Sequence, residues 1–185
     1  MSSILNTYNR KQIAFSKGKG AFLYGTNGKK YLDFVQGIAV NCLGHANNYL
    51  INSISKQAKK LWHVSNVFII PEQERLAKRI TQKTFADYVF FQNSGAEATE
   101  AAIKFARRYF YSKGQSKKNR VLCINNSFHG RTLATIFASN SKKAIEGFGP
   151  KVDGFDHFNF GDHKGLEKAI TSRTAAIMVE TIMGE

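Results

Sequence analysis

The sequence has 185 residues, and its 43% apolar and 12% aromatic residues are enough to build the core of an ordinary domain. Lysine and arginine outnumber aspartate and glutamate by 27 to 13, giving a net charge of +14, but no RNP motif, zinc finger or aromatic-basic alternation accompanies them. No window approaches the roughly 18 uninterrupted apolar residues that cross a bilayer, and MSSILNTYNRKQ lacks the apolar core of a secretion signal. We therefore expect a cytoplasmic protein, with neither nucleic acid nor a membrane as its partner.

The first predicted elements are a hairpin and two helices. AFLYGTNGKKYLDF predicts two strands around an Asn27-Gly28 turn, because both turn residues tolerate the positive φ of a tight hairpin. Residues 48–62 predict a helix, since apolar side chains recur at spacings of three and four. Pro71 suits the first turn of a further helix over PEQERLAKRITQK, where two glutamates oppose the positive end of the helix dipole.

The later elements alternate between strands and helices. Apolar runs predict strands at YVFFQ, RVLCIN and TAAIMVE, and these runs are apolar on both alternating faces. One helix is predicted after Ser94, and another over residues 161–170 behind Asp162. Strands separated by helices predict an α/β fold with a mostly parallel sheet covered by helices.

A turn between the strand YVFFQ and the following helix offers backbone donors to an anion. Ser94 and Glu97 form a predicted capping box, in which the serine oxygen accepts from the N–H of Glu97 and the glutamate reaches back to the N–H of Ser94. Gly95 has no side chain to cover the first helical position, so unpaired N–H groups and the positive end of the dipole are open. A phosphate fits that site, although an ordinary capped helix would have the same pattern.

A second cluster, NNSFHGRTLA, also follows a predicted strand. Phe128 could stack on a flat heterocycle, and Arg131 could bind a carboxylate through two parallel hydrogen bonds. His129 adds an imidazole between them. Each residue alone could be structural: a core ring, a surface hydrogen-bonding group, or one half of an ion pair. Their combination after a phosphate-type turn favours a ligand site.

The two cysteines and the excess of basic residues also admit functional interpretations. Cys42 and Cys123 match no metal-ligand spacing, so we expect reduced, structural thiols and no metal site. The positive charge would suit a non-catalytic fragment that binds anionic surfaces or nucleic acid. Because the lysines are scattered over predicted helix faces and turns, a solvated surface is the favoured interpretation.

Taken together, these motifs resemble the class III pyridoxal-phosphate aminotransferases, and the likeness runs along the whole chain. The matching segments appear in the family's order and spacing: LNTYNR, GAFLYGTNGKKYLDFVQGIAVNCLGH, LWHVSNVF, FFQNSGAEATEAAIKFARR, SFHGRT, GFGP and VETIMGE. LWHVSNVF is similar to the branch that acts on acetylornithine. The alternatives are the branches that act on ornithine, succinylornithine or 4-aminobutyrate.

The resemblance implies roles for particular residues. Cofactor-binding residues would hold the phosphate of pyridoxal 5'-phosphate and lie near its ring: Ser94, Gly95, Ala96, Phe128, His129 and Glu180. Substrate-binding residues would be Arg131 for the α-carboxylate, Asn66 at the substrate entrance, and Glu185, which takes part in admitting one substrate carboxylate or another. It further implies a homodimer that transfers nitrogen between N-acetylornithine and 2-oxoglutarate in arginine biosynthesis.

The resemblance also implies fold type I, divided between two domains. Residues 1–65 would form an N-terminal segment belonging to the small domain, and residues 66–185 would form the first part of the cofactor-binding large domain. The family's Schiff-base lysine and its aspartate partner of the pyridinium nitrogen lie in later segments, so no catalytic residue is assigned in this chain. We therefore expect an N-terminal fragment, inactive and poorly soluble by itself, with an open sheet edge.

A few positions depart from the family's usual sequence. Thr181 and Met183 stand where the family usually has proline and glutamine, and Asn47 and Asn48 replace a more usual histidine and proline. These differences affect the local geometry of the chain rather than its assignment to the family. Lys104 is no substitute for the later lysine, since its position inside the helix after the phosphate turn predicts an exposed side chain.

Overall fold

A computed structural model of the chain describes residues 3–184, in two compact units that divide between Arg79 and Ile80. The family's domain boundary, expected between residues 65 and 66, stays a prediction. No helix within residues 3–184 is long and apolar enough to span a bilayer.

The first unit contains a three-stranded antiparallel sheet with the order β1-β2-β3. Its strands are β1 (Phe15–Lys19), β2 (Phe22–Gly25) and β3 (Lys30–Leu32). The predicted hairpin is confirmed: Gly28 has a φ of 77°, and the N–H of Gly25 donates to the carbonyl of Lys29 at 2.9 Å. Strand β1 was not predicted, because its sequence FSKGK is short and mostly polar.

Asp33 anchors the segment that follows β3. Its carboxylate accepts from the N–H groups of Val35 and Gln36 and lies 2.7 Å from Nε2 of His45. The contacts lower the pKa of Asp33, chiefly through the hydrogen bond to His45. The segment between them holds the short turn α1 (Gln36–Ala39), in which Gly37 and Ile38 have positive φ.

Two longer helices, α2 (Asn48–Ala58) and α3 (Pro71–Thr81), begin where the sequence predicted. Asn47, one of the departures from the family, caps α2, since its side chain accepts from the N–H groups of Tyr49 and Leu50. Helix α2 ends before the predicted residue 62, because the carbonyl of Gln57 takes the N–H groups of residues 60 and 61 in a tighter turn. Helix α3 ends two residues before the predicted end at 83.

The second unit contains the predicted parallel sheet, with the order β5-β4-β6. Its elements in chain order are α4 (Gly95–Ser112), β4 (Arg120–Ile124), α5 (Leu133–Ser139), α6 (Lys142–Ile145), β5 (Phe155–Phe158), α7 (His163–Ala169) and β6 (Thr174–Met178). Asp162 caps α7 as expected, accepting from the N–H of Gly165 at 2.8 Å. Elements α5, α6 and β5 were not predicted.

The core of the second unit lies between β4, β5 and the helices α4 and α5. Val121 and Cys123 of β4 pack with Ile103 of α4, with Phe155 of β5, and with the buried residues of α5. Cys123 is buried, as expected of a structural thiol, whereas Cys42 is exposed, and the two form no disulfide within residues 3–184. This packing holds α4 and α5 against the sheet.

The predicted strand YVFFQ is wrong for the described structure. Residues 88–92 form no ladder with any strand in residues 3–184, and Tyr88 and Phe90 are mostly exposed. A strand requires hydrogen bonds to a neighbour, and β4 already pairs with β5 on one side and β6 on the other. The apolar residues of YVFFQ suggested a strand, but such a run does not show which strand would pair with it.

Candidate active site

The candidate site lies at the edge of the parallel sheet where β4 and β6 end. The loop of residues 125–132 follows β4, and Glu180 follows β6. Because neighbouring parallel strands point the same way, both segments emerge at the same edge, which is where open α/β sheets bind ligands.

Ser94 caps the amino end of α4, as predicted. Its backbone is extended, with φ −149° and ψ 163°, and its Oγ accepts from the N–H of Glu97 at 3.2 Å. The second half of the capping box is wrong: the Glu97 carboxylate accepts from the Ser94 hydroxyl at 3.2 Å and from the Asn93 side-chain amide at 3.4 Å. The side chains meet directly, so the carboxylate does not take the backbone N–H of Ser94.

Gly95 and Ala96 leave the first turn of α4 open. A Cβ placed on Gly95 would meet no atom within 4 Å. No residue in 3–184 accepts a hydrogen bond from the N–H of Gly95 or Ala96. Helix α4 has 18 residues, so these free donors coincide with the positive end of a long helix dipole. The arrangement suits a phosphate group.

The two motifs found in the sequence lie against each other. Gly130 packs on Ala96, and its φ of 131° belongs to a region that favours glycine. Two residues later, the hydroxyl of Thr132 donates to Oε1 of Glu100 at 2.5 Å. The loop after β4 is therefore attached to the first two turns of α4.

Phe128 and Arg131 form a stacked pair on that loop. The guanidinium carbon of Arg131 lies 4.6 Å from the centroid of the Phe128 ring, and Phe128 as a residue is 44% exposed. The backbone N–H of Phe128 donates to Oε2 of Glu180 at 2.9 Å. Arg131 forms no ion pair with a carboxylate of residues 3–184, so its charge is available to a ligand.

A cavity of about 320 Å³ adjoins this pair. Its lining contains two cationic side chains and no acidic one: Asn126, Ser127, Phe128, Arg131, Ser139, Ser141, Lys143 and Ala144. The cavity has the size of a small-molecule site, and its charge favours an anionic ligand.

His129 is buried beneath the loop. Its Nε2 lies 2.8 Å from Oγ of Ser127, and its backbone N–H donates to Oγ of Ser139. The Ser127 hydroxyl donates to the carbonyl of Ile124 at 2.7 Å, so Nε2 must carry the hydrogen in the bond to Ser127. Burial lowers the pKa of His129, with His157 adding to the effect and Glu180 opposing it. The neutral imidazole therefore supports the loop from below.

Two of the predicted site residues, Asn66 and Glu185, stay predictions. Asn66 is exposed in the first unit. Glu185 lies outside the described residues. Glu100 and Thr132, which attach the loop to α4, were not predicted. Each is adjacent to a motif, since Thr132 follows Arg131 and Glu100 lies one helical turn after Glu97. Their positions next to the two motifs were the only indication in the sequence that they belong to the site.

Comparison with known proteins agrees with the resemblance seen in the sequence. The family model "Aminotransferase class-III" matches residues 5–185. The acetylornithine aminotransferase of Agrobacterium fabrum is 54% identical over 182 residues, which is 98% of this chain and 46% of that protein. The acetylornithine aminotransferase of Brucella melitensis is 52% identical, with 98% and 45% covered.

Solved structures show the same fold. The ornithine aminotransferase of Toxoplasma gondii superimposes with a TM-score of 0.92 at 30% identity, covering 98% of this chain and 44% of that one. The N-acetylornithine aminotransferase of Stenotrophomonas maltophilia gives a TM-score of 0.77 at 34% identity, covering 97% and 44%. The expected α/β fold of type I is confirmed, and the chain spans under half the length of these relatives. The chain belongs to the class III aminotransferases.

Proposed function

We propose that the complete protein containing this chain is an N-acetylornithine aminotransferase. It would transfer the amino group of N-acetylornithine to 2-oxoglutarate, yielding N-acetylglutamate semialdehyde and glutamate in arginine biosynthesis. The observation that carries the choice of branch is the similarity, at 44–54% identity over nearly the whole chain, to proteins named acetylornithine aminotransferase. Other class III branches, acting on ornithine, succinylornithine or 4-aminobutyrate, are the alternatives.

Class III aminotransferases work with pyridoxal phosphate, and the described residues fit that cofactor. The free N–H groups of Gly95 and Ala96 suit its phosphate, and the open space at Gly95 admits a group that a side chain would exclude. The exposed ring of Phe128 suits a flat heterocycle. When bound, the cofactor supplies an electron sink and a temporary carrier for nitrogen.

Ser94, Arg131 and Glu180 would then each have a role in binding or orienting the cofactor. Ser94 holds the start of α4 so that the donors of Gly95 and Ala96 point outward toward the phosphate. Arg131 covers one face of the Phe128 ring, so the heterocycle would stack on the opposite face. Glu180 fixes the loop through the N–H of Phe128 and places a negative charge at the same sheet edge.

Arg131 is proposed to bind the substrate's α-carboxylate. Its guanidinium is free of carboxylate partners within residues 3–184 and adjoins a cavity without acidic lining residues. A guanidinium can donate two parallel hydrogen bonds to one carboxylate, which fixes both position and orientation. Asn66 and Glu185 remain proposed substrate contacts, and His129 is proposed to contribute to the cofactor site by supporting the loop.

The proposal is tested by assaying the complete gene product that contains this chain. Its kcat/KM would be measured with N-acetylornithine, ornithine, succinylornithine and 4-aminobutyrate as amino donors and 2-oxoglutarate as acceptor. We expect N-acetylornithine to be preferred. Preference for 4-aminobutyrate would contradict the assignment to this branch while leaving the family intact.

A cytoplasmic homodimer is part of the same proposal. Two free cysteines are in keeping with a reducing compartment. Large aromatic side chains are exposed on the segment before α4, where Phe85 and Tyr88 are at least 90% exposed, and such residues favour burial against another surface. Analytical ultracentrifugation of the complete protein would test the dimer.

A further inference from the structure

Arg131 is held in place from both sides by α4. On its amino side, Gly130 packs against Ala96 in the first turn of that helix. On its carboxyl side, Thr132 donates its hydroxyl to the carboxylate of Glu100, one turn further along. Contacts on both sides of Arg131 therefore hold its backbone against α4. The amino end of the same helix offers hydrogen-bond donors to a phosphate.

The bond between Thr132 and Glu100 is of the strong type. At 2.5 Å it lies at the short end of the range for a hydroxyl donating to an ionised carboxylate. It joins side chains that are 32 residues apart in sequence. Thr132 also takes part in the capping box at the start of α5, where its backbone N–H donates to Oγ1 of Thr135 at 2.9 Å and its hydroxyl oxygen lies 3.0 Å from the same atom. The bond to Glu100 is therefore additional to the local cap.

We propose that Glu100 and Thr132 are positioning residues that set the distance between the phosphate-binding turn at Gly95 and the guanidinium of Arg131. Neither side chain touches the ligand. If the turn at Gly95 holds the cofactor phosphate while Arg131 holds the substrate carboxylate, an error in the distance between the two sites would weaken carboxylate binding. The inference rests on the proposed function, because that function assigns a phosphate to one site and a carboxylate to the other.

The test separates the two anion sites by measuring them independently in the complete gene product. Cofactor affinity is measured by absorbance titration with pyridoxal phosphate, and the carboxylate site is measured as the KM for N-acetylornithine. For Thr132→Val, which removes the hydroxyl but keeps the shape, we expect the KM to rise about tenfold, the size of one lost hydrogen bond to a charged group. The cofactor affinity should change less than twofold.

Two conservative variants distinguish positioning from general destabilisation. Thr132→Ser and Glu100→Gln each retain a donor-acceptor pair, so both should keep a KM within about threefold of the wild-type value. Glu167→Ala, an exposed acidic residue in α7, is the matched control and should leave both readouts unchanged. Thermal unfolding of every variant reports whether it folds.

A wrong positioning role for Thr132 and Glu100 can be told apart from a wrong choice of substrate. If the protein does not use N-acetylornithine, the same variants are compared by calorimetric titration with 2-oxoglutarate, whose carboxylates need the same guanidinium. The inference is overturned if Thr132→Val leaves carboxylate binding unchanged, or if it weakens cofactor and carboxylate equally. It is also overturned if Thr132→Ser behaves like Thr132→Val.

Discussion

Gly130 lies so close to Ala96 that a Cβ on the glycine would be 2.9 Å from the Cβ of Ala96. The same Cβ would be 2.8 Å from Oγ1 of Thr135, so it would be crowded on two sides. Both distances are below ordinary van der Waals contact. The absence of a side chain at residue 130 therefore determines how near the loop approaches the amino end of α4.

Replacing Gly130 by alanine should push the loop away from α4. The steric contacts and the φ of 131° both oppose an alanine, and such backbone strain costs about 1–3 kcal/mol. We expect pyridoxal-phosphate affinity to fall at least tenfold, measured by absorbance titration. Gly114→Ala is the control, because Gly114 also has a positive φ, of 72°, but nothing lies near its Cβ position. Equal effects of both changes would assign the loss to backbone strain alone.

Arg131→Lys should lower kcat/KM for N-acetylornithine at least tenfold. Lysine keeps the charge but loses the two parallel hydrogen bonds, which contribute about 1.5–3 kcal/mol. The control is Arg108→Lys, since the Arg108 guanidinium also lies over an aromatic ring, that of Tyr111, at 5.2 Å. Unchanged kinetics in Arg131→Lys would remove this residue from the substrate site.

The two cysteines should differ sharply in reactivity. Burial raises the pKa of the Cys123 thiol to about 12, so almost none of it is thiolate at pH 8. Cys42 is exposed. Treatment with iodoacetamide at pH 8, followed by peptide mass spectrometry, should label Cys42 in the native protein and Cys123 only after denaturation. Rapid native labelling of Cys123 would show that the core around β4 opens readily.

Acidification should destabilise the second unit through His129, which is buried, and His157, which is partly buried. Burial lowers the pKa of His129 and of His157 in the folded state. The unfolded chain, with histidine pKa values near 6.5, then binds more protons than the folded chain once the pH falls below about 6.5. The free energy of unfolding should therefore decrease as the pH falls below about 6.5.

Urea unfolding at pH values between 8 and 5 measures this dependence, and His129→Gln should make it shallower. Glutamine retains a side-chain N–H for the bond to Ser127 but does not titrate. A variant whose stability depends on pH as steeply as that of the wild type would show that His129 is not the responsible group.

The positive charge should give only weak, non-specific binding to DNA. Seven described cationic side chains lie over aromatic rings of the chain itself, including Arg107 over Phe155 and Lys30 over Phe22. Fluorescence anisotropy with two unrelated duplexes should show equal affinities that fall steeply with salt. A sequence preference at physiological salt would favour the nucleic-acid alternative instead.

Sequence patterns predicted most of the features that depend on interactions between neighbouring residues, such as helix caps and turns. Ser94 and Asp162 cap the helices they were expected to cap, and the turn at Gly28 has the required positive φ. Helix α5 was missed because LATIFAS is buried from residues 135 to 139 and so has no polar face to reveal a helical period.

Features that depend on distant partners could not be predicted from one sequence. Residues 88–92 look like a strand, but no strand in the described part of the chain pairs with them. The Glu97 carboxylate could accept a hydrogen bond from either the backbone N–H or the hydroxyl of Ser94. The sequence is the same in both cases, and in the folded structure the hydroxyl is the donor. The contact between Thr132 and Glu100 likewise joins the loop after β4 to α4, across 32 residues of sequence.

The hydrogen bond from Phe128 to Glu180 has a consequence for the order in which the chain folds. The two residues are 52 positions apart, and a ribosome releases the loop after β4 well before it releases Glu180. Contacts of such long sequence separation form late, because the intervening chain must first be ordered. The nascent loop can therefore rest on α4 early, but it acquires its anchor at the sheet edge only after β6 has docked beside β4.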